Sequence, residues 1–161
     1  AGGVFIWTHW RGKSIQGQWK AFEDMLREKK TRSIAVSNFS PKQLDCIPSN
    51  ATTPAVNQLP YSVGHGGDSS VQDNFAHGKI IVQAYSPLGS GSVLSDPDVV
   101  RISHKHNKST AQVALRWILQ RNATFTTSAS SLEHFQQDLD LFNFELSQAE
   151  MKTLNAKREK Q

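Results

Sequence analysis

Five short apolar runs, largely β-branched, alternate with stretches whose apolar positions recur at helical spacing. The runs fall at residues 4–8, 33–37, 54–57, 80–84 and 125–127. Between them Trp19, Phe22 and Leu26 recur three and four apart, as do Val113 with Trp117 and Ala114 with Ile118, the spacing of one buried helical face. The run Val4-Phe5-Ile6-Trp7 is apolar without alternation, as expected of a strand covered on both faces of a parallel sheet. Strand followed by helix, repeated in this way, predicts an α/β fold with a parallel sheet, because parallel strands need a long crossover that a helix usually supplies.

The helix starts carry capping chemistry, since the first backbone N–H groups of a helix lack partners and a Ser, Thr or Asp oxygen can accept from them. Ser40-Pro41-Lys42-Gln43 joins an N-cap, a proline at the first helical position and a capping-box glutamine. Asp96-Pro97, Ser109 with Gln112, Ser130 with Glu133, and Ser147 with Glu150 repeat one or both devices. Gly78, after Phe75-Ala76-His77, suits a helix C-terminus. Residues 64–67 and 88–92 read as loops, and there is no internal repeat.

Composition narrows the class. With 161 residues, 37% apolar and 20% charged, the chain fits one globular domain over residues 1–161 with a core of its own. No run of about 18 apolar residues exists to span a bilayer, so a soluble or peripheral protein is expected, with its compartment left open. Cys46, the single cysteine, cannot build an internal disulfide framework and reads as a small buried residue ending a short helix. His104 and His106 are two apart on a helix and do not share a face, so no metal site is expected. The net charge of +4 comes from scattered cations without the basic stripe of a nucleic-acid binder, and the closing Lys157, Arg158 and Lys160 read as a solvated end. The chain opens at Ala1 with neither an initiator Met nor a signal-like segment, so a portion upstream is expected to be missing.

Six segments, in order and spacing, resemble the aldo-keto reductase family: Thr8-His9-Trp10, Ile34-Ala35-Val36-Ser37-Asn38-Phe39, Pro54-Ala55-Val56-Asn57-Gln58, Ala84-Tyr85-Ser86-Pro87-Leu88-Gly89, Thr110-Ala111-Gln112-Val113-Ala114-Leu115-Arg116-Trp117 and Phe142-Asn143-Phe144-Glu145-Leu146-Ser147. The resemblance implies a partial TIM-type (β/α) barrel, with strands four to eight present, three strand-helix units absent and the site at the C-terminal strand ends. It implies that His9 orients a substrate carbonyl, that Ser37, Asn38 and Gln58 hold the nicotinamide carboxamide, and that Tyr85 stacks on the nicotinamide ring. Ser86 and Leu88 would belong to the loop against the cofactor pyrophosphate.

Departures from the family pattern qualify that picture. Thr126-Thr127-Ser128-Ala129 stands where the family often has Ile-Pro-Lys-Ser, and His134 stands at the arginine that grips the 2′-phosphate. Ser128 and His134 thus occupy cofactor positions without the usual cations, while Gln137-Asp138 replaces a Glu-Asn pair, so NADPH is expected to bind weakly. His9-Trp10-Arg11 replaces His-Trp-Pro. The family's catalytic aspartate, tyrosine and lysine have no counterpart here, since Tyr61 and Tyr85 do not match that tyrosine. Two functions follow from the resemblance. One is an NADPH-dependent carbonyl oxidoreductase, catalytically incomplete in this chain and completed by its missing N-terminal portion or a protein partner. The other is a non-catalytic accessory or scaffold subunit.

Overall fold

A computed structural model describes residues 3–7, 12–65 and 68–157. Its strands are β1 (Gly3–Trp7), β2 (Ser33–Ser37), β3 (Val56–Pro60), β4 (Ile81–Tyr85) and β5 (Thr124–Phe125). Its helices are α1 (Gly12–Arg27), α2 (Pro41–Leu44), α3 (Asp68–Ala76), α4 (Pro97–His106), α5 (Thr110–Gln120), α6 (Leu132–Leu139) and α7 (Gln148–Asn155), with a 3-10 helix over Gly89–Ser95. The chain forms two compact units, Ala1–Leu59 with Ser69–Val82, and Pro60–Asp68 with Gln83–Gln161.

In the first unit β1 lies parallel to β2 in register from Gly3 opposite Ser33 to Trp7 opposite Ser37. Strand β2 lies parallel to β3, with Val36 opposite Asn57 and Ser37 opposite Gln58. The N–H of Ile81 donates to the Ala55 carbonyl at 3.2 Å and brings the start of β4 alongside. Helix α1 covers β2 through Ile15 and Trp19, which join Ile34, Val36, Phe39, Leu44 and Ile80 in one buried cluster. The Trp19 ring is fully buried, and its Nε1–H donates to the Thr52 carbonyl at 2.8 Å, giving the indole the partner that burial requires. Truncating such a side chain to Ala costs about 3–5 kcal/mol.

In the second unit β4 runs parallel to β5, with Gln83 opposite Thr124 and Ala84 opposite Phe125. Helix α5 buries Val113, Ala114, Leu115, Trp117 and Ile118. Trp117 stacks on buried Tyr61 at 5.1 Å and donates Nε1–H to Asn155 Oδ1 at 2.8 Å, tying α5 to α7.

The capping residues fall largely where their chemistry put them. Asp96 accepts from the N–H of Asp98 and Val99, and Ser109 with Gln112 and Ser147 with Glu150 form capping boxes. Helix α6 starts one residue later than expected: Ser131, not Ser130, accepts from the His134 N–H at 3.1 Å. The third strand begins at Val56 rather than Pro54, since a proline has no N–H for the ladder. The segment read as a loop over 88–92 tightens into the 3-10 helix, broken where Ser90 and Gly91 take φ of 52° and 93°. Cys46 is only half-buried, lies just beyond α2, and donates Sγ–H to the Lys42 carbonyl at 3.3 Å. Among the described residues no helix is long and apolar enough to cross a membrane.

Candidate functional site

The end of β2 lies opposite the middle of β3, with Ser37 across from Gln58, and this brings Ser37, Asn38 and Gln58 together. The Asn38 N–H donates to the Gln58 carbonyl at 2.9 Å, the Ser37 hydroxyl donates to the same oxygen at 3.3 Å, and Asn38 Nδ2 donates to Ser37 Oγ at 3.3 Å. Asn38 sits at φ 58°, a left-handed conformation that asparagine tolerates better than most residues. The chain therefore leaves β2 sharply while its polar side chains stay at the strand end.

Beneath this turn lies Asn57, fully buried, whose role sequence reasoning passed over. Its Nδ2 donates to the Phe39 carbonyl and to Asn74 Oδ1, each at 2.8 Å, and its Oδ1 accepts from the Phe39 N–H at 3.3 Å. Asn74 in turn donates to the Ser70 carbonyl at 2.7 Å. Both donors of the Asn57 amide are thus used. The one available signal was an amide inside an otherwise apolar run, within the 54–58 segment already singled out.

In the second unit Tyr85 closes β4 and Ser86 follows at φ 51°. The Gly89 N–H donates back to the Ser86 carbonyl at 2.9 Å. Gly89 has φ +55°, and a Cβ there would stand 2.9 Å from Ser92 Oγ and 3.0 Å from Val93 Cγ2, so this turn calls for glycine. A cleft of about 420 Å³ opens beside it, lined by Ser86, Leu88, Ser90 and residues 126–128, Ser128 included. Its lining offers hydroxyls and carries no charged side chain.

A larger hollow of about 930 Å³ is bordered by Tyr85 and Ser86, and also by Ser62, His65, Asp96 and Lys157, which sequence reasoning did not connect with the site. Lys157 Nζ lies 2.6 Å from Asp98 and 2.9 Å from Asp96. Burial works against the lysine's charge, but the two carboxylates outweigh it and hold its pKa above the usual value.

His134 lies in the first turn of α6, with Nδ1 3.1 Å from Ser130 Oγ. Burial pushes the carboxyl of Asp138, one turn on, above its usual pKa, against the opposing charge of His134. His9, with Trp10 and Arg11, lies outside the described residues. Among the described residues no group of three or more His, Cys, Asp or Glu is placed to hold a metal ion.

Parallel strands alternating with helices, with polar and aromatic side chains at or near the C-terminal strand ends, define the β/α class whose sites gather on that side of the sheet. The chain belongs to the aldo/keto reductase family, which it matches over residues 5–159. It is 34% identical over 150 residues to the glyoxal reductase of Bacillus subtilis, covering 92% of this chain and 54% of that protein. It superposes on an aldo-keto reductase from a Medee basin deep-sea metagenome library with a TM-score of 0.91 and 27% identity, covering 98% of this chain and 60% of the other. It also superposes on a single-residue mutant of Gox0644 in complex with NADPH, with a TM-score of 0.85 and 29% identity over 97% of this chain and 59% of that one. The chain spans about half the length of the curated relatives it matches, as a partial TIM-type barrel does.

Proposed function

We propose that this chain carries the nicotinamide-binding part of an NADPH-dependent carbonyl oxidoreductase and does not complete that reaction by itself. The observation that carries the reading is the cluster of Ser37, Asn38 and Gln58 around one strand end. Amide and hydroxyl groups supply both the donors and the acceptor that a primary carboxamide needs. Tyr85 contributes an aromatic face of the kind that fixes which side of a flat ring meets substrate. The hydroxyls of Ser86, Ser90 and Ser128 suit phosphate oxygens, although they donate hydrogen bonds without neutralising charge.

When bound, the nicotinamide supplies the hydride. The residues described here would bind and orient it, while a proton for the carbonyl oxygen must come from elsewhere. Tyr61 is packed in the core against Trp117, a structural position, and no other residue matches the family's proton donor. His9 would orient the carbonyl.

The test is a titration of the 161-residue chain with NADPH, followed through tryptophan fluorescence, alongside an assay for aldehyde reduction. Saturable binding with a Kd of about 10 µM to 1 mM, without turnover, is the expected result. Absence of saturation at millimolar NADPH overturns the binding half of the reading, and turnover by the chain alone overturns the other half.

A further inference from the structure

Ser62 is 3% exposed. Its hydroxyl makes no hydrogen bond among the described residues, whereas the side chains of the other buried polar residues all do. A hydroxyl shut away from water without a partner costs folding free energy, so its presence calls for a cause. The backbone around it is fixed: the Ser62 N–H donates to the His65 carbonyl at 3.0 Å, and the His65 N–H donates back to the Ser62 carbonyl at 2.9 Å. Gly64, between them, takes φ 83°, the left-handed region that suits glycine. This closed turn holds the serine in the wall of the hollow of about 930 Å³ in the second unit.

Hydroxyls dominate the polar lining of that hollow, where Ser86, Ser90, Ser92 and Ser95 join Ser62. Two of them have already committed their proton: Ser92 Oγ donates to the Gly89 carbonyl at 2.8 Å, and Ser95 Oγ to the Ser92 carbonyl at 3.2 Å. Each keeps lone pairs and so offers a ligand an acceptor, while Ser62 offers a donor as well. Gly89 lets two of these hydroxyls approach one point, since a Cβ on it would lie 2.9 Å from Ser92 Oγ and 3.5 Å from Ser62 Oγ. Lys157 adds no attraction for an anion, because its Nζ is held by Asp96 at 2.9 Å and by Asp98 at 2.6 Å. A phosphate or carboxylate would bring acceptors to acceptors and meet the Asp96 carboxylate besides. An alcohol both donates and accepts, which matches this wall, and the volume lies in the range of small-molecule sites.

We propose that this hollow binds a neutral polyhydroxylated molecule of sugar-ring size, with Ser62 Oγ as the buried anchor and Ser92 and Ser95 accepting from the ligand's hydroxyls. The ligand needs no carbonyl group and takes no part in hydride transfer. Tyr85 and Ser86 border this hollow as well as belonging to the proposed nicotinamide site, but Ser62, Ser92 and Ser95 lie outside that set, so the inference stands apart from the nicotinamide reading.

The probe is myo-inositol, a ring of hydroxyls with neither charge nor carbonyl. It is titrated into the isotope-labelled 161-residue chain without cofactor and followed by amide NMR shifts, with inorganic phosphate in a parallel titration. Saturable shifts at residues 62–65 and 89–96 with a Kd of about 1–10 mM are expected, and phosphate should leave these signals unmoved. Ser62→Ala should weaken inositol binding by about three- to tenfold. It should not lower the melting temperature, because it removes a hydroxyl that has no partner in the unliganded protein. Absence of saturation at about 100 mM inositol overturns the proposal, as do shifts confined to other residues or phosphate bound as tightly as inositol. Unchanged affinity in Ser62→Ala overturns it too, and so does a lowered melting temperature in that variant, which would show that the hydroxyl serves the fold.

Discussion

Asn57 and Phe39 hold each other twice: Asn57 Nδ2 donates to the Phe39 carbonyl at 2.8 Å, and the Phe39 N–H donates back to Asn57 Oδ1 at 3.3 Å. This reciprocal pair fixes the backbone immediately after Asn38, so the geometry of the proposed carboxamide site depends on a residue that does not itself belong to it. Asn57→Leu would leave the Phe39 carbonyl and N–H and the Asn74 carboxamide oxygen without this partner in a buried position. The expected loss is about 2–4 kcal/mol in urea unfolding. Asn57→Asp should not rescue it, because a carboxylate cannot donate to either oxygen. A cost below about 1 kcal/mol for both variants would mean that water replaces the amide.

Two glycines of the first unit should respond to alanine with opposite signs. Gly78 has φ +117°, and a Cβ there would stand 2.9 Å from Thr53 Cγ2, so Gly78→Ala should destabilise by about 1–3 kcal/mol. Gly17 lies inside α1 with nothing within 4 Å of an added Cβ, and Gly17→Ala should stabilise by about 0.5–1 kcal/mol. Thermal melts of the two variants compare them directly, and melting temperatures shifted in the same direction would contradict the account.

Glu150 predicts an acid limb of stability. Burial, leaving its side chain 6% exposed, works to raise its pKa. Lys105 Nζ at 2.8 Å, the Ser147 N–H at 2.8 Å and hydroxyl at 2.9 Å, and His106 Nε2 at 3.1 Å outweigh that effect, and the net result is a pKa lowered from 4.5 to about 2. A carboxylate with a depressed folded pKa contributes its stability above the unfolded value and loses it as pH falls through the folded one. Unfolding free energy should hold steady from pH 7 to about 5 and then decline toward pH 2, with up to about 3 kcal/mol assigned to this group. Glu150→Gln should flatten the decline, and an unchanged slope in that variant would place the titration elsewhere.

What the sequence made legible was local. Ser109 and Gln112 lie three residues apart and complete each other within one turn, so their box needs no tertiary information, and the same holds for Ser147 with Glu150. The end of β2 was legible because Ser37-Asn38 stops an apolar run and carries a family resemblance. Less was legible where the outcome depends on distant partners. Asn57 meets Asn74 across 17 residues, and nothing in the apolar pattern announces that pairing. Ser130 and Ser131 are equivalent as candidate caps, and only backbone geometry selects Ser131. The periodicity of α6 identifies its apolar face but not the direction in which packing turns it.

Cofactor preference is the remaining prediction, and it concerns charge. The cleft between residues 86–90 and 126–128 offers hydroxyls where the resemblance implies a lysine, and His134 at the head of α6 shares its Nδ1 with Ser130. A phosphate monoester carries close to two negative charges, and ionised donors bind it about twice as strongly as neutral ones. With neutral hydroxyls at Ser128, discrimination between NADPH and NADH should be less than about tenfold, or roughly 1.4 kcal/mol. Ser128→Lys should tighten NADPH by about tenfold and leave NADH nearly unchanged, since the two cofactors differ by that phosphate alone. The gain should shrink with added salt, because a partly exposed ion pair is screened. Parallel fluorescence titrations of both cofactors at low and moderate ionic strength provide the measurement. A preference for NADPH beyond about a hundredfold in the unsubstituted chain, or equal tightening of both cofactors by Ser128→Lys, would show that the phosphate is gripped somewhere other than this cleft.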